Sequence, residues 1–162
     1  MSADHARQLA AIGWTRSPTT RADLLRQAIN LLNLSTVVGL VVAGVGGATL
    51  SRGPHRIVIA TEYRLPFPRA GAFTIGDVVI TYRSRERLLS RPALLRHESR
   101  HCLQYAWCLG VVMLPLYALA AGWSWLRTGD PVSRNIFERL AGLADGDYVE
   151  HPVRPLGAQP GK

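Results

Sequence analysis

Two imidazoles four residues apart, with a carboxylate beside the first, form the pattern in this chain best suited to chemistry: His97-Glu98-Ser99-Arg100-His101. Residues four apart share one face of a helix, so both rings can reach a single cation. Glu98 then stands where a water on that cation would lie. A catalytic zinc takes three nitrogen or oxygen ligands and keeps a fourth position open for water. About 40 residues later Glu138 offers the third ligand, so His97, His101 and Glu138 are expected to hold one zinc ion per chain.

The elements that must position these residues follow from local signals. Ser90-Arg91-Pro92 reads as a helix start, with Ser90 as cap and Pro92 in the first turn, and the helix should run over residues 91–108. Before it, residues 56–65 read as a strand. Residues 72–83 read as further strand, with Gly76 and Asp77 as a bulge or turn. After it, a helix over 133–145, capped by Ser133 and stopped at Gly146, would carry Glu138. The expected fold class is α+β, a small antiparallel or mixed sheet preceding the His-Glu helix.

Upstream, Leu24, Leu25, Ala28, Ile29, Leu31 and Leu32 recur at helical spacing behind Thr20 as N-cap. Arg26 and Arg52 then bound a charge-free stretch rich in Val and Gly, suited to a membrane span or to a buried helix broken by Gly44, Gly46 and Gly47. The expected organisation is a mobile lead-in over 1–20 with a short helix near 6–12, a hydrophobic helical anchor over 21–51, the sheet-and-helix domain over 56–151, and a loose tail over 152–162.

The chain has 162 residues, 48% of them apolar and 19% charged, which excludes a disordered, collagen-like or disulfide-stapled class. A net charge of +8 points towards polyanions, but the arginines are scattered and Lys162 is the only lysine, so no nucleic-acid partner is expected. Cys102 and Cys108 project to different faces of one helix and should stay reduced.

AFTIGDVVITY followed by LLRHESRHCLQYAWCLG resembles the strand-then-helix core of small bacterial HExxH domains, the glutamate-ligand (gluzincin-like) zincin metallopeptidases. NIFERLAGLADGDY resembles the later helix that returns the acidic ligand. The likeness spans residues 56–148, and its specific part is the pairing of HESRH with FERLAGLADG. It implies hydrolysis of a peptide bond in a peptide or protein substrate by metal-activated water, with Glu98 as general base. Substrate would pair with the strand from Thr74 through Ile75, Gly76, Asp77, Val78 and Val79 to Tyr82. Tyr148 and His151 are oxyanion candidates by type and nearness to the last helix. Thermolysin-type members carry an aspartate four residues after the ligand glutamate, where Gly142 stands here, so Asp145 is the candidate to orient a ligand histidine. Arg100 occupies a position where many members have a small residue, and it is bulky enough to crowd the active-site strand.

A second charge-free stretch, residues 102–126, sets a topological condition. If it crossed a bilayer about 30 Å thick, His97 and Glu138 would end on opposite sides. Gly110 and Pro115 therefore predict that it bends and returns, as a buried hairpin or as an interfacial element against lipid, with the domain seated on a membrane surface. The local arginine balance and the unpaired cysteines favour a cytoplasmic catalytic side. The alternative is a noncatalytic small integral-membrane protein in which HESRH is coincidental or degenerate.

Overall fold

The computed structural model describes residues 18–68 and 70–154. The expected helix near 6–12 and the end of the tail lie outside them. Among the described residues the fold is α+β, with a four-stranded mixed sheet and six α-helices. In chain order these are α1 (Arg21–Leu32), α2 (Ser35–Val45), β1 (Thr49–Arg52), β2 (Val58–Thr61), β3 (Ala72–Ile75), β4 (Val78–Thr81), α3 (Arg85–Leu89), α4 (Pro92–Trp107), α5 (Met113–Thr128) and α6 (Ile136–Ala141). Short 3₁₀ turns at Pro54–Arg56 and Gly110–Val112 complete the set.

The strand order is β1-β2-β4-β3, with β2 and β4 parallel and the other pairs antiparallel. Residues 72–83 thus form a hairpin whose turn is Gly76-Asp77. Gly76 has φ +61, and a Cβ there would lie 2.3 Å from the Thr36 backbone nitrogen, so glycine is required where α2 crosses the turn. The central strand β4 is buried throughout, which fits its unbroken apolar run.

Side-chain alternation gives the sheet two covered faces. Ile57, Ile59, Ala72 and Val79 pack against Leu88 of α3 and Leu94, Leu95 and Cys102 of α4. On the other face Ala60, Val78, Ile80 and Tyr63 meet Ala43, Leu40 and Val42 of α2. The 21–51 segment, expected as an anchor set apart from the domain, therefore shares a core with it. It is not one continuous helix, because α1 and α2 meet at 74°; among the described residues no single helix is long and apolar enough to cross a membrane.

The expected caps and ends hold in one place and differ in two. Thr20 does cap α1, in a capping box with Asp23. Ser90, however, ends α3 and donates to the Arg87 carbonyl, leaving Arg91 at the N-cap of α4 with no side-chain bond and Pro92 in the first turn. The helix expected over 133–145 shrinks to α6. Asn135 caps it by accepting the Phe137 N–H, and Gly142 ends it. Ser133 is instead drawn into the preceding turn, where its N–H and hydroxyl both donate to Asp130.

Candidate metal centre

Helix α4 is built so that its buried stripe changes chemistry along its length. Leu94 and Leu95 face the core, then His97, Glu98 and His101 follow on buried positions before Cys102 and Tyr105. The chain turns through 112° after Trp107, runs out along α5, and returns through the Asp130 turn to α6. That return brings Glu138, itself buried, to the two histidines. Its Oε2 lies 3.1 Å from His97 Nε2 and 3.7 Å from His101 Nε2, and the two Nε2 atoms are 3.1 Å apart.

The far side of each ring fixes what the near side presents. His97 Nδ1 lies 3.0 Å from the Gly142 carbonyl, and His101 Nδ1 lies 2.8 Å from Gln104 Oε1. A ring that donates from Nδ1 to an oxygen carries its lone pair on Nε2. Gln104 is held in turn, since its amide donates to the Phe137 carbonyl on α6. Two imidazole lone pairs and a carboxylate oxygen therefore converge on one point, and Glu138 Oε2 has no hydrogen-bond partner of good geometry although it is buried. Such a cluster is repulsive until a cation sits among its members, and the three residues can bind a metal ion. A tetrahedral zinc at about 2.0–2.1 Å from each ligand would set ligand atoms roughly 3.3 Å apart, close to the spacing present.

The electrostatics agree. Burial pushes the Glu138 carboxyl up, but the close approach of His101 and His97, the His101 charge and the Tyr117 hydrogen bond outweigh it and hold the group well below the usual carboxylate range. Burial opposes a charge on His101, yet Glu138, Glu98 and Gln104 together raise its affinity for a proton. A proton and a metal ion thus compete for the same place. Glu98 behaves differently: burial raises its carboxyl, and His101, the Thr74 hydroxyl and His97 offset this only in part. Thr74 Oγ1 donates to Glu98 Oε2 at 2.7 Å, fixing the carboxylate beside the cluster.

Two tyrosines complete the site. The Tyr117 hydroxyl donates to Glu138 Oε1 at 2.5 Å, which leaves Oε2 turned to the histidines. Tyr148 stands with its ring 5.7 Å from that of His97, and burial followed by the charges of Glu138 and Glu98 keeps its phenol protonated. Both line a cavity of about 440 Å³ that also holds His97, Glu98, His101 and Glu138, and whose walls include Phe67, Phe73, Met113 and Leu114.

Several sequence expectations need correction. Asp145 does not touch a ligand histidine; it pairs with Arg100 at 2.7 Å and Arg96 at 3.4 Å, and the Gly142 carbonyl takes the orienting place. Gly142 has φ +88, a conformation that suits glycine and aims its carbonyl at His97. Arg100 reaches the Ala141 carbonyl and Asp145 on the α6 side, away from the strand it was expected to crowd. His151 is exposed, donates its backbone N–H to Ser133, and does not line the cavity. Arg134 and Arg139, natural partners for a surface glutamate at 138, pair with Glu150 instead.

The expected substrate strand divides as well. Thr74 and Ile75 lie on β3, the sheet edge nearest α4. Val78 and Val79 lie on β4, which is hydrogen-bonded on both sides and has no edge to offer. Asp77 belongs to neither role. Its Oδ1 accepts from Arg26 Nε at 2.8 Å and Asn30 Nδ2 at 3.0 Å, an ion pair that locks α1 to the hairpin.

Tyr117 and Gln104 are the residues sequence reasoning missed. Gln104 is three residues beyond His101 on the same helical face, a signal that was available. Tyr117 reads as a core or membrane-interface aromatic, because only the bend after Trp107 brings it to Glu138. Comparison of the chain with protein-family models, curated proteins and solved structures gave no match.

Proposed function

We propose that the protein is a zinc-dependent hydrolase of peptide bonds, similar in kind to the small zincin metallopeptidases, with His97, His101 and Glu138 as ligands and Glu98 as general base. The observation that carries this is the convergence of three buried lone pairs beside a carboxylate that a threonine holds in place. Zinc in such a site would supply Lewis acidity, lowering the pKa of a bound water towards about 7 and polarising the scissile carbonyl.

The remaining work falls to the chain's own side chains. Glu98, raised by burial, takes a proton from the attacking water and delivers it to the leaving amine. The Thr74 hydroxyl keeps that carboxylate in one orientation through both transfers. Tyr148, a protonated phenol on the cavity wall, is the donor available for negative charge developing on the substrate oxygen. An extended peptide pairs its main chain with the edge at Thr74 and Ile75. The apolar walls exclude bulk water and favour substrates with apolar side chains at the scissile bond.

The same proposal seats the protein on a lipid bilayer with its catalytic side in the cytoplasm. Support comes from the charge-free segments, the two free cysteines and the arginines flanking the apolar runs. The test is cleavage of a diverse peptide mixture by the zinc-loaded protein, read by mass spectrometry beside Glu98→Gln. Cleavage by the parent and a loss of about 10²–10⁴-fold in the variant, with zinc retained, is the expected result. Absence of cleavage from a parent that holds zinc would favour the noncatalytic membrane protein, a reading supported by the many exposed apolar side chains of α5.

A further inference from the structure

Two sharp corners in the helical framework meet on one side of the molecule. One lies between α1 and α2 at Asn33 and Leu34, and the other lies between α4 and α5 at Cys108 and Leu109. Asn33 Nδ2 donates to the Tyr105 carbonyl at 3.4 Å, and a Cβ on Gly110 would stand 2.5 Å from the Asn33 side chain, so the corners are in contact. Each corner turns on a leucine in the left-handed region, Leu34 at φ 64 and Leu109 at φ 56, a conformation that leucine seldom adopts. Neither leucine enters the core. Leu34 is 59% exposed, Leu109 73%, and their neighbours Leu32 and Trp107 84% and 79%.

No charged residue lies near either corner in sequence, since 27–51 and 102–126 contain no Asp, Glu, Lys or Arg. Helix α5 continues the apolar surface with Leu119, Trp123, Trp125 and Leu126 exposed, and ends with Arg127 stacked over Trp123 at 5.6 Å. Exposed tryptophan and leucine closed by arginine is the make-up of a helix lying at a lipid headgroup boundary, and the chain's +8 charge complements anionic headgroups. Exposed apolar side chains gathered at one junction mark an interaction surface.

We propose that the paired corners, Leu32 to Leu34 with Trp107 to Leu109, insert together into one leaflet of an anionic phospholipid bilayer, and that α5 lies along its surface. Met113 and Leu114, four and five residues beyond the Leu109 corner, line the cavity, so one of its walls lies close to the inserted segment. One consequence rests on the hydrolase reading: substrates are peptide segments presented at the lipid–water boundary. The insertion rests on the bilayer seating proposed above and not on the hydrolase chemistry.

The test is co-sedimentation of the purified full chain with vesicles of equal phosphatidylcholine and phosphatidylglycerol. Leu32→Asp/Leu109→Asp alters only exposed positions, and its fold is checked by circular dichroism. We expect the parent to bind, the double variant to bind at least about tenfold more weakly, and His97→Ala to bind like the parent, which separates this result from the fate of the metal site. As a second readout, brominated lipid should quench tryptophan emission less in Trp107→Phe than in the parent. Equal binding by the double variant, or quenching unchanged in Trp107→Phe, would overturn the proposal. So would a parent that ignores vesicles but self-associates through these corners, which would make a second copy of the chain their cover.

Discussion

Two of the buried carboxylates, Asp77 at the hairpin turn and Glu138 on α6, are satisfied in different ways. Asp77 is met by Arg26, a permanent cation, with Asn30 as a neutral donor that also reaches the Cys102 carbonyl of α4. Glu138 is met by two imidazoles and a phenol. Each keeps one oxygen without a hydrogen bond, Oδ2 of Asp77 and Oε2 of Glu138. Around Asp77 a permanent cation of the chain, Arg26, which also pairs with Asp23, already faces the carboxylate, so the cluster is a lock between α1, the hairpin and α4. Around Glu138 the partners are bases, which become charged only on taking up a proton or meeting a metal ion. Burial alone therefore does not mark a site. What distinguishes one is burial of groups whose charge the chain leaves unbalanced.

Breaking the lock should give the largest effect on folding. Arg26→Ala leaves the Asp77 charge buried and unpaired, and should lower stability by about 3–5 kcal/mol in urea unfolding. By contrast, Glu138→Gln keeps an acceptor for Tyr117 and should leave the stability of metal-free protein within about 1 kcal/mol of the parent. A large loss in both would erase the distinction between lock and site.

Tyr117→Phe sharpens the comparison from the other side. It removes the bond that turns Glu138 Oε2 towards the histidines, and should weaken zinc affinity about 10–100-fold in a calorimetric titration while the unfolding curve of the metal-free protein moves little. Asn135→Ala comes next. It removes the cap of the short helix that delivers Glu138, and should cost about 1 kcal/mol of stability in the same urea assay.

The smallest effect is one of pH. Burial pushes the Asp130 carboxyl up, but hydrogen bonds from the Ser133 side chain and from the Ser133 and Val132 backbone outweigh it, so its pKa is lowered. Its contribution to stability is full above the unfolded value of about 3.9 and is lost as pH falls through the lower folded value. Asp77 has the opposite sign: burial raises it despite Arg26 and Asn30, so its contribution is full below about 3.9 and fades as pH rises through the folded value. Asp130→Asn should therefore flatten the acid limb of the urea midpoint against pH, and a limb unchanged in the variant would contradict this assignment.

Much of the fold was legible where a local signal had no rival. Helix α4 lies within one residue of the expected 91–108, because Pro92 and the alternating buried stripe both point to it. The Gly76-Asp77 turn and the Thr20 cap were readable for the same reason. Misreadings arose where two neighbours offered the same chemistry. Ser90 and Ser133 are good caps by type, yet tertiary contacts assigned them to the end of α3 and to the Asp130 turn. The convergence of His97, His101 and Glu138 was legible, but the groups that support them were not. His97, His101 and Glu138 carry donor types that few other roles demand, whereas the Gly142 carbonyl belongs to the backbone and has no residue signature. Asp145 looked suitable on the assumption of a helix through 145. Once α6 ends at Gly142, that residue turns to the arginines of α4.

The central claim is that His97, His101 and Glu138 form one metal site, and the most direct test is zinc content by inductively coupled plasma mass spectrometry. Parent, His97→Ala, Glu138→Gln and Glu98→Gln would be measured after zinc loading and removal of free metal. The account predicts about one zinc per chain in the parent and in Glu98→Gln, and none in the two ligand variants. Zinc absent from all four proteins, or retained by His97→Ala and Glu138→Gln, would contradict it.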